Sequence, residues 1–125
     1  MKKILIVEDE EILSNVLKDR FENDGWSVTT AGDGEAALEL INKNKFDVML
    51  LDLILPKKDG FEVLESIKSD PLLQKKMSVI VLSNLGADED IKRALSLGAV
   101  DYFVKTQHPI GEILERAKQY QKSSK

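Results

Sequence analysis

The chain contains no cysteine, so disulfide frameworks and thiolate metal centres are excluded. It has no apolar stretch near the roughly 20 residues that span a bilayer. Basic residues are not in excess: the formal net charge is −4, which argues against non-specific binding to nucleic acid. The opening MKKILIVEDEE has two lysines and a short apolar run, then four acids at once, and no small-residue cleavage site. Glycine, proline and serine nowhere cluster into a linker, and no repeat or low-complexity tract interrupts the sequence. These absences predict a soluble cytoplasmic protein with neither a membrane segment nor direct nucleic-acid contacts. The expectation for residues 1–125 is a single domain, its core at about 3–119 and its polar tail at 121–125.

What is present is alternation. Five short apolar runs, KILIV (3–7), SVTT (27–30), DVMLL (47–51), SVIVL (78–82) and YFV (102–104), are separated by amphipathic segments. Three runs are almost continuous in Val, Ile, Leu and Met, as in parallel strands buried on both faces. Between them, apolar residues recur at helical steps. They are Ile12, Leu13, Val16, Leu17 and Phe21; then Ala36, Ala37, Leu40 and Ile41; then Phe61, Leu64 and Ile67; then Ile91, Ala94 and Leu95; and last Ile110, Ile113, Leu114, Ala117 and Tyr120. Gly25 and Gly98 suit helix ends, Pro71 forbids continuation of the third helix, and Pro109 suits a first turn. The order is β-α five times, so the predicted fold is an α/β three-layer sandwich around a parallel sheet. Periodicity leaves the strand order open.

In an open parallel sheet, ligands bind at the carboxyl ends of the strands. The first strand ends in Glu8 and Asp9, the third in Asp52, the fourth in Ser83 and Asn84, and the fifth in Lys105 and Thr106. Asp52 is the conspicuous one, because VMLLDLILP is otherwise built for a dry interior. Two carboxylates about 4 Å apart repel by roughly 4 kcal/mol at an effective dielectric near 20. Such a cluster takes up protons or binds a cation, and a few oxygen ligands with room for water suit Mg²⁺. Mg²⁺ favours phosphoryl chemistry, with Lys105 and Ser83 available to stabilise phosphoryl oxygens. A carboxylate such as Asp52 can act as nucleophile and form an acyl phosphate. A dehalogenase-like phosphatase also uses an aspartate after an apolar strand, but needs an acid two residues on, where Ile54 stands.

Four motifs, ILIVEDE (4–10), DVMLLDLILPKKDG (47–60), VIVLSN (79–84) and DYFVKT (101–106), occur in order, each at a strand. Together the chain resembles the receiver domains of two-component response regulators over about 3–119. The resemblance implies a flavodoxin-like (βα)₅ fold with strand order 2-1-3-4-5. It implies that Asp52 accepts a phosphoryl group from a sensor histidine kinase or phosphotransfer protein. Asp9 would ligate Mg²⁺ directly, Glu8 through water, and Ile54 by its backbone carbonyl. Lys105 and Ser83 would bind the phosphoryl oxygens, and Tyr102 would be the switch aromatic that turns inward on activation. The readout would fall on the face formed by the fourth helical pattern, the last strand and the final helix, through which receivers can also pair as homodimers. The domain would catalyse only its own phosphorylation and dephosphorylation.

Three positions depart from the family pattern. Leu55 replaces the usual Met before Pro56. Asn84 replaces the usual small residue after Ser83. Thr106 replaces the usual proline after Lys105, where a cis bond without proline costs roughly 3–4 kcal/mol. Ile54 and Leu85, each two residues after a site residue, are apolar and predict slow loss of the phosphoryl group to water. His108 before Pro109 is expected near a helix start, Trp26 at a core edge, and Lys57 and Lys58 in a solvated loop.

Overall fold

The computed structural model describes residues 2–120, apart from the side chains of 74–76; the tail expected at 121–125 lies outside the described residues. Five strands form one parallel sheet: β1 (Lys3–Val7), β2 (Ser27–Ala31), β3 (Val48–Leu51), β4 (Ser78–Ser83) and β5 (Asp101–Val104). Their order is β2-β1-β3-β4-β5, the order that the resemblance implied. The helices are α1 (Glu11–Asn23), α2 (Gly34–Lys43), α3 (Gly60–Lys68), α4 (Pro71–Lys76), α5 (Asp88–Ser96) and α6 (Ile110–Tyr120).

Strand alternation builds two cores. Leu5, Val7, Met49, Leu51, Val79 and Val81 face α2, α3 and α5. Ile4, Ile6, Val48, Leu50, Ile80 and Leu82 face α1 and α6, where Leu17, Phe21, Ile113, Leu114 and Ala117 meet them. Central strands β3 and β4 are therefore buried at every position, which explains the unbroken apolar runs of residues 48–51 and 79–82. Each such side chain contributes roughly 1.5–3 kcal/mol of burial. Trp26 stands at the edge of the second core as expected, edge-on to Phe21 at 5.5 Å.

Two corrections concern the helices. Six are present among the described residues where the apolar pattern predicts five. Pro71 not only ends α3 but opens α4, since its missing N–H and fixed φ suit a first turn. Asp70 caps that short helix by accepting from the N–H groups of Leu72 and Leu73, at 3.1 and 3.5 Å. The inward stripes are also narrower than expected. In α1 the buried line is Ser14, Leu17 and Phe21. At 3.6 residues per turn, Ile12 falls on the far side of the helix and is 78% exposed, with Val16 also exposed. In α5 only Ala94 is buried, and Leu95, one step around the helix, is exposed. Leu17→Ala should therefore cost about 3 kcal/mol of unfolding free energy, and Ile12→Ala less than about 0.5 kcal/mol, both measured by urea denaturation.

Candidate functional site

Register decides which strand ends meet. Val7 pairs with Leu51, so Glu8 and Asp52 leave the sheet side by side. The Asp52 N–H donates to the Val7 carbonyl at 3.0 Å, extending the ladder one residue past the strand. On the other side Ser83 pairs with Val104, and the Lys105 N–H donates to the Ser83 carbonyl at 2.9 Å, which aims Lys105 back across the strand ends. The Lys105–Thr106 peptide is trans, like every other described peptide bond, and Lys105 reaches the cluster without the proline usual at that position.

Glu8 and Asp52 are buried, Asp9 is exposed, and one carboxylate oxygen from each lies within 4.8 Å of the others. The Lys105 Nζ donates to Asp52 Oδ2 at 2.8 Å and to Glu8 Oε1 at 2.7 Å. The remaining carboxylate oxygens have backbone donors: Glu10 N–H to Glu8 Oε2 at 3.0 Å and Ile54 N–H to Asp52 Oδ1 at 3.2 Å. Burial raises the Glu8 pKa, opposed by its hydrogen bonds to Lys105 and the Glu10 N–H and reinforced by the charge of Asp52. Burial also works against the Lys105 charge, but the hydrogen bonds and charges of Asp52 and Glu8 outweigh it and raise its pKa. A cleft of about 160 Å³ opens over the cluster, lined by Glu8, Asp9, Glu10, Asp52, Ile54, Asn84 and Lys105. The donor set is all oxygen, partly open to solvent, and fits a hard divalent cation such as Mg²⁺.

The other predicted site residues surround this centre. Ile54 is 55% exposed at the cleft mouth. Ser83 is fully buried at the end of β4, and its hydroxyl accepts from the Leu85 N–H at 3.4 Å. Tyr102 is half-buried, and its hydroxyl donates to the Leu85 carbonyl at 2.5 Å. Its phenol is pushed up to about 12, first by burial, then by the charges of Asp90 and Asp52. His108 does sit near the start of α6, facing Glu112 at 3.1 Å and edge-on to Phe103. Glu10 holds the N-cap position of α1 and also lines the cleft. Nothing in a run of four acids distinguishes which of them turn back over the sheet.

The loop after β3 is held from both sides by glycine. A Cβ on Gly60 would stand 2.4 Å from the Asp52 carbonyl oxygen, and one on Gly34 would stand 2.1 Å from the Lys58 carbonyl oxygen. Both glycines open helices, so α2 and α3 approach the loop closer than any side chain allows. Lys57, expected as an ordinary solvated lysine, is exposed but takes a φ of 67°, with its ammonium 3.9 Å from Asp33. Asp33 itself caps α2 through the Ala36 N–H at 2.8 Å.

A five-stranded parallel sheet with this order and an acidic, cation-competent cleft at its carboxyl edge defines the flavodoxin-like class of α/β proteins. Within that class, residues 4–118 match the model of the response regulator receiver domain, and the chain belongs to that family. It is 39% identical over 110 residues to the alkaline phosphatase synthesis transcriptional regulatory protein PhoP of Bacillus subtilis, covering 86% of this chain and 44% of that protein. It is 38% identical over 105 residues to the transcriptional regulatory protein CpxR of Escherichia coli, covering 84% of this chain and 43% of that protein. The chain thus spans less than half the length of these curated relatives. The receiver domain of the Francisella response regulator 1452 superposes with a TM-score of 0.88 at 32% identity, covering 96% of each chain. The response regulator TrrA of Thermotoga maritima, solved in complex with Mg²⁺ and BeF, superposes with a TM-score of 0.82 at 29% identity, covering 96% of this chain and 99% of that one.

The raised Glu8 pKa carries a sign. Between the ordinary carboxyl value of 4.5 and the higher folded value, the folded state binds more protons than the unfolded, so stability falls as pH rises through that window. In buffer free of divalent cations, Glu8→Gln should gain stability relative to the parent as pH climbs from 4.5 to neutral, measured by urea unfolding at a series of pH values.

Proposed function

We propose that Asp52 is the phosphoacceptor of this receiver domain and that a sensor histidine kinase or phosphotransfer protein is the donor. The observation that carries the reading is the convergence of Glu8, Asp9 and Asp52 within 4.8 Å, with Lys105 2.8 Å from Asp52. An Asp52 carboxylate oxygen attacks phosphorus. The O–P bond forms as the N–P bond of the donor phosphohistidine breaks, and the electron pair returns to the imidazole. Lys105, already beside the nucleophile, holds a phosphoryl oxygen, and the Ser83 hydroxyl leaves the Leu85 N–H to hold another.

Asp9, Asp52 and the Ile54 carbonyl would hold Mg²⁺, with Glu8 joined through water. When bound, Mg²⁺ supplies positive charge to acidic ligands and phosphoryl oxygens alike. That TrrA was solved in complex with Mg²⁺ and BeF supports Mg²⁺ as the cation by analogy. Movement of Ser83 pulls on Leu85, whose carbonyl is the acceptor for Tyr102, so the event reaches α5, β5 and α6. That face would contact the downstream partner or a second copy of the chain. The domain acts in the cytoplasm as one unit over 1–125, and its only chemistry is its own phosphorylation and dephosphorylation. No described helix is long and apolar enough to cross a membrane.

Incubation with a small phosphodonor and Mg²⁺, read by intact mass, should add one phosphoryl group to the parent and none to Asp52→Asn. Equal addition to both would move the acceptor elsewhere. Ile54 at the cleft mouth and Leu85, part-buried against the first core, offer no group to position an attacking water. Decay of the phosphoprotein should therefore be slow, and an Ile54→Asn, Leu85→Gln double variant should lose its label faster.

A further inference from the structure

Helix α5 is the least embedded long helix of the fold. It buries one residue, Ala94, and its N-cap residue Ala87 provides no side-chain hydrogen bond. Its flank facing α3 is held by polar reach rather than by apolar interlock. The Arg93 guanidinium lies over the Phe61 ring, 4.1 Å from its centroid, and 3.6 Å from Glu65. Lys68 donates from its Nζ to the carbonyl of Ser96, the last residue of α5, at 2.9 Å. Both partners of Arg93 and the donor Lys68 belong to α3. That helix is in turn seated on the segment that carries Asp52: the Gly60 N–H donates to the Leu53 carbonyl at 2.9 Å, and a Cβ on Gly60 would stand 2.4 Å from the Asp52 carbonyl oxygen.

We infer that Arg93, with Lys68, forms a latch that pins α5 to α3 in the resting state and sets the free-energy difference to the phosphorylated state. The inference rests on Asp52 being the phosphoacceptor and adds a second line of coupling, through α3, beside the one through Ser83 and Tyr102. The interactions are of the right kind for a switch. A cation over an aromatic face and an exposed ion pair are each weak, so together they bias a two-state helix without locking it. Arg93 is suited because its planar guanidinium stacks on Phe61 and still offers N–H groups to Glu65, which a lysine ammonium cannot do at once.

Hydrogen exchange of the unphosphorylated protein tests the latch independently of phosphorylation. In Arg93→Ala, amides of α5 should exchange roughly fivefold faster than in the parent, with β1, β3 and α6 unchanged; Arg93→Lys should fall between. By linkage, beryllofluoride with Mg²⁺ should bind Arg93→Ala more tightly by about the same factor. Unchanged α5 exchange, or acceleration spread over the whole chain, would overturn the latch. Faster α5 exchange with unaltered beryllofluoride affinity would overturn its coupling to Asp52. Failure of parent and variant alike to bind beryllofluoride would overturn the phosphoacceptor reading and that coupling together, while the exchange result still decides the latch.

Discussion

One ammonium group holds the strand ends of this protein together. Lys105 stands between the Glu8 and Asp52 carboxylates at 2.7 and 2.8 Å, linking the end of β1, the end of β3 and the exit of β5. Without it, two buried like charges would face each other at low dielectric, an arrangement that is costly enough to be resolved by protonation or by unfolding. With it, Asp52 and Glu8 are partnered, and the exposed Asp9 keeps a carboxylate oxygen within 4.8 Å of theirs. The site thus rests in a partly neutralised state, its buried carboxylates sharing one ammonium.

The surrounding packing supports that arrangement. β3 is buried at all four positions, so its end cannot drift, and Asp52 emerges in one direction. Gly34 and Gly60 let two helix starts close on the loop that follows, whose Ile54 N–H is one of the donors to Asp52. Asp59 and Glu62 form a capping box at the start of α3, which fixes where that loop gives way to helix. The placement of Asp52 is therefore a property of backbone approach as much as of side-chain chemistry.

Stability is spread unevenly around this centre. The sheet and the α1 and α6 side bury large aliphatic and aromatic groups, whereas α5 contributes a single alanine. The Tyr102 hydroxyl on Leu85 and the Arg93 stack on Phe61 are the polar fasteners at the edges of that weak element. A receiver needs such an asymmetry, because a modification worth a few kcal/mol can only move what is held by a comparable amount.

Much of this was legible before any coordinates. The unbroken apolar spelling of residues 48–51 and 79–82 marked central parallel strands, because burial on both faces removes alternation. The polar residues following those runs marked the site edge, and the motifs carried the family. The strand order came from family resemblance, since periodicity is blind to which strands are neighbours. Ile12, Val16 and Leu95 were read as inward because a helical stripe states its period but not its width. Pro71 was read only as a stop, because the same ring ends one helix and begins another. By itself the sequence determined the alternating elements, the dry strands and the identity of the groups at their ends, all of which depend on local pattern. Only the tertiary structure decided that Lys105 bridges two carboxylates, that Glu10 turns into the cleft and that Arg93 stacks on Phe61, because each joins residues brought together by register and helix packing across the sheet.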